Sequence, residues 1–185
     1  MNGEPRNRKD IRLKNYDYSQ PGYYFVTICT RVRYENILCE IVPVGGAALG
    51  APSFQHPSTP QINLTSVGQI VEKYVQNMDQ VYENRVKIDC YTIMPDHIHL
   101  IIQLCHLEGG PPRAAAPTVA LPHVINTLKA LSTKQIGYSI WQRGYHDHII
   151  RNDADLQATR EYIQNNPLKW ILDRTETNGQ EENDK

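Results

Sequence analysis

No apolar run in the 185 residues approaches the roughly 20 that a membrane-spanning helix needs, which argues against a membrane protein. The opening segment, Met1-Asn-Gly-Glu-Pro-Arg-Asn-Arg-Lys9, has charges but no apolar stretch behind them, so it does not read as a secretory signal. Cysteine is scarce. The four residues Cys29, Cys39, Cys90 and Cys105 form no CxxC pair and sit in or beside apolar runs. They read as reduced, small hydrophobes of a cytoplasmic protein, not as a disulfide frame or a zinc knuckle. No glycine-rich nucleotide-binding loop is present, so no nucleotide cofactor is expected. Net charge is nearly absent as well, at −1, but that average hides a gradient. Residues 1–33 hold seven Lys/Arg against Glu4, Asp10 and Asp17, whereas residues 171–185 hold five acids against Arg174 and Lys185. The acidic, Asn/Gln/Glu-rich end, residues 173–185, reads as a solvated tail. Overall charge therefore neither supports nor excludes a polyanionic partner.

The remaining length, residues 1–172, suits one domain, and 40% hydrophobic positions are enough for a core without disulfide staples. Two aperiodic stretches rich in Gly, Pro and Ala, near 43–60 and 107–120, read as loop insertions. Tyr23–Thr30, β-branched and aromatic, predicts a strand. Leu64–Tyr82 predicts a helix, with Thr65 or Ser66 as N-cap and apolar residues at Val67, Ile70, Val71, Tyr74, Val75, Met78 and Val81. Val86–Met94 and His97–Leu104 predict an antiparallel hairpin turning at Pro95-Asp96. Val124–Ile136 predicts a second helix, His146–Ile150 a short strand, and Asp153–Asn165 a third helix stopped by Asn166-Pro167. The order β-α-β-β-α-β followed by a helix predicts an α+β, ferredoxin-like split-βαβ sheet with helices on one face and the other face open for chemistry.

Strand residues alternate in direction, so Ile98, Leu100, Ile102 and Leu104 share the core face, while His97, His99, Ile101 and Gln103 share the opposite one. Two imidazoles projecting side by side suit two ligands of one divalent ion. Paired histidines in a strand are also ordinary half-exposed residues, and two ligands do not make a site. In the third helix Tyr162 and Asn166 are i and i+4, one turn apart on the flank of the stripe Leu156, Thr159 and Ile163. Taken singly, Tyr162 reads as a boundary tyrosine and Asn166 as a helix-end residue before a proline.

The string Met94-Pro-Asp-His-Ile-His-Leu100 resembles the His-hydrophobic-His (HUH) motif of single-tyrosine transposases. Trp141-Gln-Arg-Gly-Tyr-His-Asp-His-Ile-Ile-Arg-Asn152, followed by Tyr162-Ile-Gln-Asn-Asn-Pro167, resembles the C-terminal signature of the REP-associated tyrosine transposases, an IS200-like group. Tyr16–Thr27 resembles that group's first strand, so the likeness spans most of residues 12–172. It implies that His97, His99 and Asn166 hold a Mg²⁺ or Mn²⁺ ion and that Tyr162 is the nucleophile. The implied reaction nicks and rejoins single-stranded or hairpin DNA through a 5′-phosphotyrosine link, by a monomer or a homodimer. A cation would neutralise the non-bridging phosphate oxygens as charge builds on them. Asp96 departs from the Asn common in the group and adds negative charge beside the ion. His146 and His148 read as outer-sphere or structural residues.

For DNA contacts the sequence offers Arg12 and Lys14 within the basic stretch Arg6–Lys14, together with Lys129, Lys134, Arg143 and Arg151. Tyr138, Trp141 and Tyr145 are candidate rings for stacking bases, whereas Tyr23 and Tyr24 read as core. Two other readings stay open: a module that binds structured DNA or RNA without cutting it, and a metal-dependent hydrolase in which water is the nucleophile.

Overall fold

Strands whose residues alternate in direction leave one face of a sheet apolar, and that face dictates the architecture. In a computed structural model, which describes residues 13, 16–32, 35–43, 60–105 and 119–181 (175–181 by backbone alone), β1 is Gly22–Cys29, β2 Cys39–Val42, β3 Gln61–Leu64, β4 Val86–Ile93, β5 His97–Leu104 and β6 His146–Ile150. Four of these form an antiparallel sheet in the order β4-β5-β1-β6. The helices are α1 Ser66–Gln76, the short α2 Met78–Val81, α3 Leu121–Ile136 and α4 Asp153–Glu181. This is the expected α+β, ferredoxin-like arrangement with an added C-terminal helix. No helix among the described residues is long and apolar enough to cross a membrane.

The alternation of β1 and β5 settles which side the helices take. Tyr24, Val26 and Ile28 with Ile98, Leu100 and Ile102 are buried under Val71 and Val75 of α1 and Leu121, Val124, Ile125 and Leu128 of α3. Thr65 caps α1 as expected, its hydroxyl oxygen accepting from the Gly68 N–H at 3.0 Å, and the same hydroxyl donates to the Ile37 carbonyl at 2.6 Å. Gly68 is required by close approach, since a Cβ there would stand 1.9 Å from the carbonyl oxygen of Leu38. Helix α3 begins at Leu121, three residues earlier than expected, because Pro122 falls in the first turn, where its missing N–H costs nothing. The hairpin β2–β3 was not expected from sequence; it brackets the first Gly/Pro/Ala stretch. Residues 44–59 and 106–118 lie outside the described residues.

The opposite face carries a smaller apolar patch, in which Leu156 and Ile163 of α4 pack on Ile101 and Ile150. Here the expected helix end is corrected. Asn166-Pro167 does not stop α4, whose backbone runs on to Glu181, over the first part of the segment that composition reads as a tail. A proline in a helix interior removes one N–H donor and costs about 3 kcal/mol, enough to end a helix with nothing else to hold it. Pro167 is buried, continuing the line Leu156, Thr159 and Ile163, so burial in the tertiary structure offsets that penalty. The start is set by Asn152, whose side-chain oxygen accepts from the Asp155 N–H at 2.9 Å.

Candidate active site

The hairpin turn before β5 is fastened from three sides. Met94 N–H donates to the His97 carbonyl at 2.8 Å, Leu38 N–H to the Pro95 carbonyl at 3.0 Å, and the Thr30 N–H and hydroxyl to the Asp96 carbonyl at 2.8 and 2.9 Å. From this rigid start His97 and His99 project to the α4 side of the sheet, with Nε2 atoms 3.1 Å apart. Their outer nitrogens are both engaged. His97 Nδ1 lies 2.7 Å from Asp96 Oδ1, and His99 Nδ1 lies 2.8 Å from the Thr27 hydroxyl on the paired strand. A carboxylate only accepts, so His97 Nδ1 carries the proton and a neutral His97 turns the Nε2 lone pair inward. Burial, followed by the neighbouring His97, pushes the His99 pKa down to about 3, so His99 is neutral near pH 7. Two convergent imidazole nitrogens with fixed outer partners are the donor pair a divalent cation takes.

Helix α4 lays a second row beside them. The Tyr162 ring sits edge-on to His99 at a centroid distance of 5.4 Å and to Phe25 at 5.8 Å, while the Trp170 ring lies 6.1 Å from His97. Tyr162, Asn166 and Trp170 are successive i+4 positions, so Asn166 falls between the residues that touch the two histidines. Its amide nitrogen is buried with no hydrogen-bond partner. Amide O and N are assigned by hydrogen-bond networks, and the flipped amide sets a carbonyl oxygen at that place. No group of three or more His, Cys, Asp or Glu able to hold a metal occurs among the described residues, and a carboxamide oxygen is a donor of the kind that adds to such an imidazole pair. His97, His99 and Asn166 fit that donor set. Tyr162 is 47% exposed, open to a substrate from solvent.

The other sequence-derived candidates separate. Arg12 and Lys14 lie outside the described residues. Lys129 and Lys134 ride on α3, whose apolar side packs against the face opposite the histidines, and Lys129 Nζ donates to the carbonyls of Gln142 (2.9 Å) and Gly144. The structure therefore does not bring these two lysines to the histidine side. Arg143 is exposed in the loop before β6, and Arg151 is exposed at the entry to α4. Trp141 and Tyr145 are core residues, not stacking platforms, with the Trp141 indole N–H donating to Ser132 Oγ at 2.9 Å. Tyr138 alone of the three is well exposed, at 59%. His148 bonds to both carboxylate oxygens of Asp155, at 3.0 Å each, and His146 is exposed across from Thr27. Sequence reasoning missed Thr27, Phe25 and Trp170. Their alternation and i+4 spacing were visible, but the strand register that sets Thr27 against His99 was not.

No family profile matches the chain. A Haemophilus influenzae protein described only as uncharacterised is 30% identical over 186 residues, covering 91% of this chain and 92% of its own. A second Haemophilus influenzae protein, provisionally named a REP-associated tyrosine transposase, is 26% identical over 164 residues, covering 85% of this chain and 77% of its own. Among solved structures, a REP-associated tyrosine transposase bound to a REP hairpin superposes with a TM-score of 0.57 at 19% identity, over 85% of this chain and 73% of that one, and so shares the fold. Along most of its length the chain is thus similar to a protein provisionally named a REP-associated tyrosine transposase, and it shares the fold of a solved one.

Proposed function

We propose that this protein nicks and rejoins single-stranded or hairpin DNA with Tyr162 as nucleophile, at a divalent-cation site formed by His97, His99 and Asn166. That it processes DNA is supported by its likeness to a protein provisionally named a REP-associated tyrosine transposase and by the fold it shares with a solved one. The observation that supports the finer reading is the contact of the Tyr162 ring with His99, beside the 3.1 Å pair of imidazole nitrogens. The Tyr162 oxygen attacks a backbone phosphorus, a phosphotyrosine bond forms to the 5′ side, and the bond to the 3′ oxygen breaks. The leaving 3′ oxygen takes up a proton, and the phenolic proton passes to solvent, which reaches the half-exposed ring. When bound, Mg²⁺ or Mn²⁺ supplies charge neutralisation at the non-bridging phosphate oxygens. Bond energy is retained in the link, so a 3′-OH attacking it restores a phosphodiester without a nucleotide cofactor. The hairpin named for the related solved structure supports a structured single strand as substrate.

Covalent trapping tests the proposal. The protein is incubated with Mn²⁺ and labelled hairpin DNAs from repeats flanking its gene and run on a denaturing gel, with Tyr162→Phe alongside. A slow-migrating adduct that disappears in the variant is the expected result. Cleavage that survives in Tyr162→Phe without an adduct would overturn it in favour of a water nucleophile. Binding without cleavage in any divalent metal would instead point to a binding module.

A further inference from the structure

Helix α4 meets the sheet through two kinds of contact with different consequences. The stripe of Leu156 and Ile163 on Ile101 and Ile150 is non-directional: it presses helix to sheet but specifies rotation about the helix axis only weakly. Arg160 and Tyr162, two residues apart, are separated by about 200° around the helix and stand on opposite flanks of that stripe. On the first flank Arg160 Nε donates to Asp89 Oδ2 at 2.8 Å and Nη2 donates to Oδ1 at 2.6 Å, a planar two-bond fork. On the other flank Tyr162 rests on Phe25 and His99.

Asp89 is available for this because β4 is irregular there. Its pairing with β5 passes from Ile88 opposite Ile102 to Cys90 opposite Ile101, so Asp89 is an extra residue with no partner in the register. As a result Ile88 packs with the α1/α3 core while Cys90, two residues on, packs on the α4 side. Without the extra residue, positions two apart would share a face.

We propose that Asp89 and Arg160 form a clamp that sets the roll of α4 and so positions the Tyr162 hydroxyl over the histidine pair, both acting as positioning residues for strand cleavage. The proposal rests on Tyr162 being the nucleophile. A tyrosine oxygen stands far from the helix axis, so a few degrees of roll displaces it by a large part of an ångström, and a misplacement near 1 Å costs about 100-fold in rate. Exposed ion pairs add little to stability, so the pair's effect falls on geometry and not on melting temperature.

The test uses Asp89→Asn, Arg160→Gln and the double variant in the full chain, reading adduct formation at saturating hairpin DNA, DNA affinity, melting temperature and amide hydrogen exchange along α4. Expected are an adduct rate lowered about 10- to 100-fold in each single variant, no further loss in the double variant, faster exchange in α4, and unchanged affinity and melting temperature. A wild-type rate in Asp89→Asn overturns the clamp. So does loss of DNA affinity in Arg160→Gln alone, which would make Arg160 a phosphate contact. Should the wild-type protein form no adduct, the nucleophile assignment fails by itself. Hydrogen exchange then still decides the clamp: faster α4 exchange in both single variants supports it, and unchanged exchange overturns it.

Discussion

Asp96 Oδ1 accepts a hydrogen bond from His97 Nδ1 at 2.7 Å, across a single peptide unit at the tip of the β4–β5 hairpin. The two residues lock each other: the turn, fastened from Leu38 and Thr30, holds the carboxylate, and the carboxylate fixes the tautomer and tilt of the ring. Asp96→Ala removes that partner. Outer-sphere partners of this kind are worth about 10- to 100-fold in metal affinity. The expected outcome is a Mn²⁺ affinity lowered by that amount in calorimetric titration, with the fold intact by circular dichroism. Asp96→Asn keeps a carbonyl acceptor and should lose less. Equal affinities in all three proteins would sink the role assigned to Asp96.

The depressed pKa of His99 carries a pH signature. In the unfolded chain the ring takes up a proton near its ordinary value of 6.5, whereas in the folded protein it resists protonation down to about 3. Between those limits the unfolded state binds more protons, so this group's contribution is fully present above about pH 6.5 and is lost as pH falls. With metal removed by a chelator, unfolding free energy should decline by up to about 1.4 kcal/mol per pH unit across that window. His99→Gln should flatten the decline in denaturant titrations run from pH 7 to pH 4, and an unchanged slope in that variant would refute the assignment.

Gly68 tests how closely α1 approaches the segment before β2. With a Cβ placed 1.9 Å from a backbone oxygen, Gly68→Ala has no side-chain rotamer to escape through. A loss of about 1–3 kcal/mol in chemical denaturation is expected, in the range typical of overpacking. Neutral or improved stability would show that the helix can shift without cost.

Ile163 is fully buried on the sheet one residue after Tyr162. Ile163→Ala should cost about 2–5 kcal/mol if α4 unfolds together with the sheet. If α4 detaches by itself, amide exchange will rise in α4 while β1 and β5 keep their protection, and the global transition will stay put. The two results distinguish an integral helix from a docked one.

Much of the architecture was legible because periodicity and local chemistry agreed. The bounds of β5 and β6, the capping role of Thr65, and the division of Ile98, Leu100 and Ile102 from His97 and His99 follow from alternation and spacing, which are properties of the backbone. The reach of α4 was not legible. Proline at 167 and an acidic composition beyond 172 both argue locally for an end, and burial of Pro167 in the tertiary structure overrode the first. The hairpin β2–β3 escaped notice because four-residue strands carry too little pattern to stand above their surroundings.

For the site the division has the same origin. The sequence by itself determined that two imidazoles share one face of a strand and that Tyr162 and Asn166 share one flank of a helix, since both statements need only 2-residue and 3.6-residue periods. Only the tertiary structure decided that these two elements face each other within one chain, with the Tyr162 and His99 ring centroids 5.4 Å apart. It also decided that Thr27 and Asp96 hold the outer imidazole nitrogens, that Lys129 and Lys134 lie with α3 away from the histidines, and that an unpaired residue in β4 reaches Arg160. Pairing register and helix roll depend on contacts between residues far apart in the chain, and no local period encodes them.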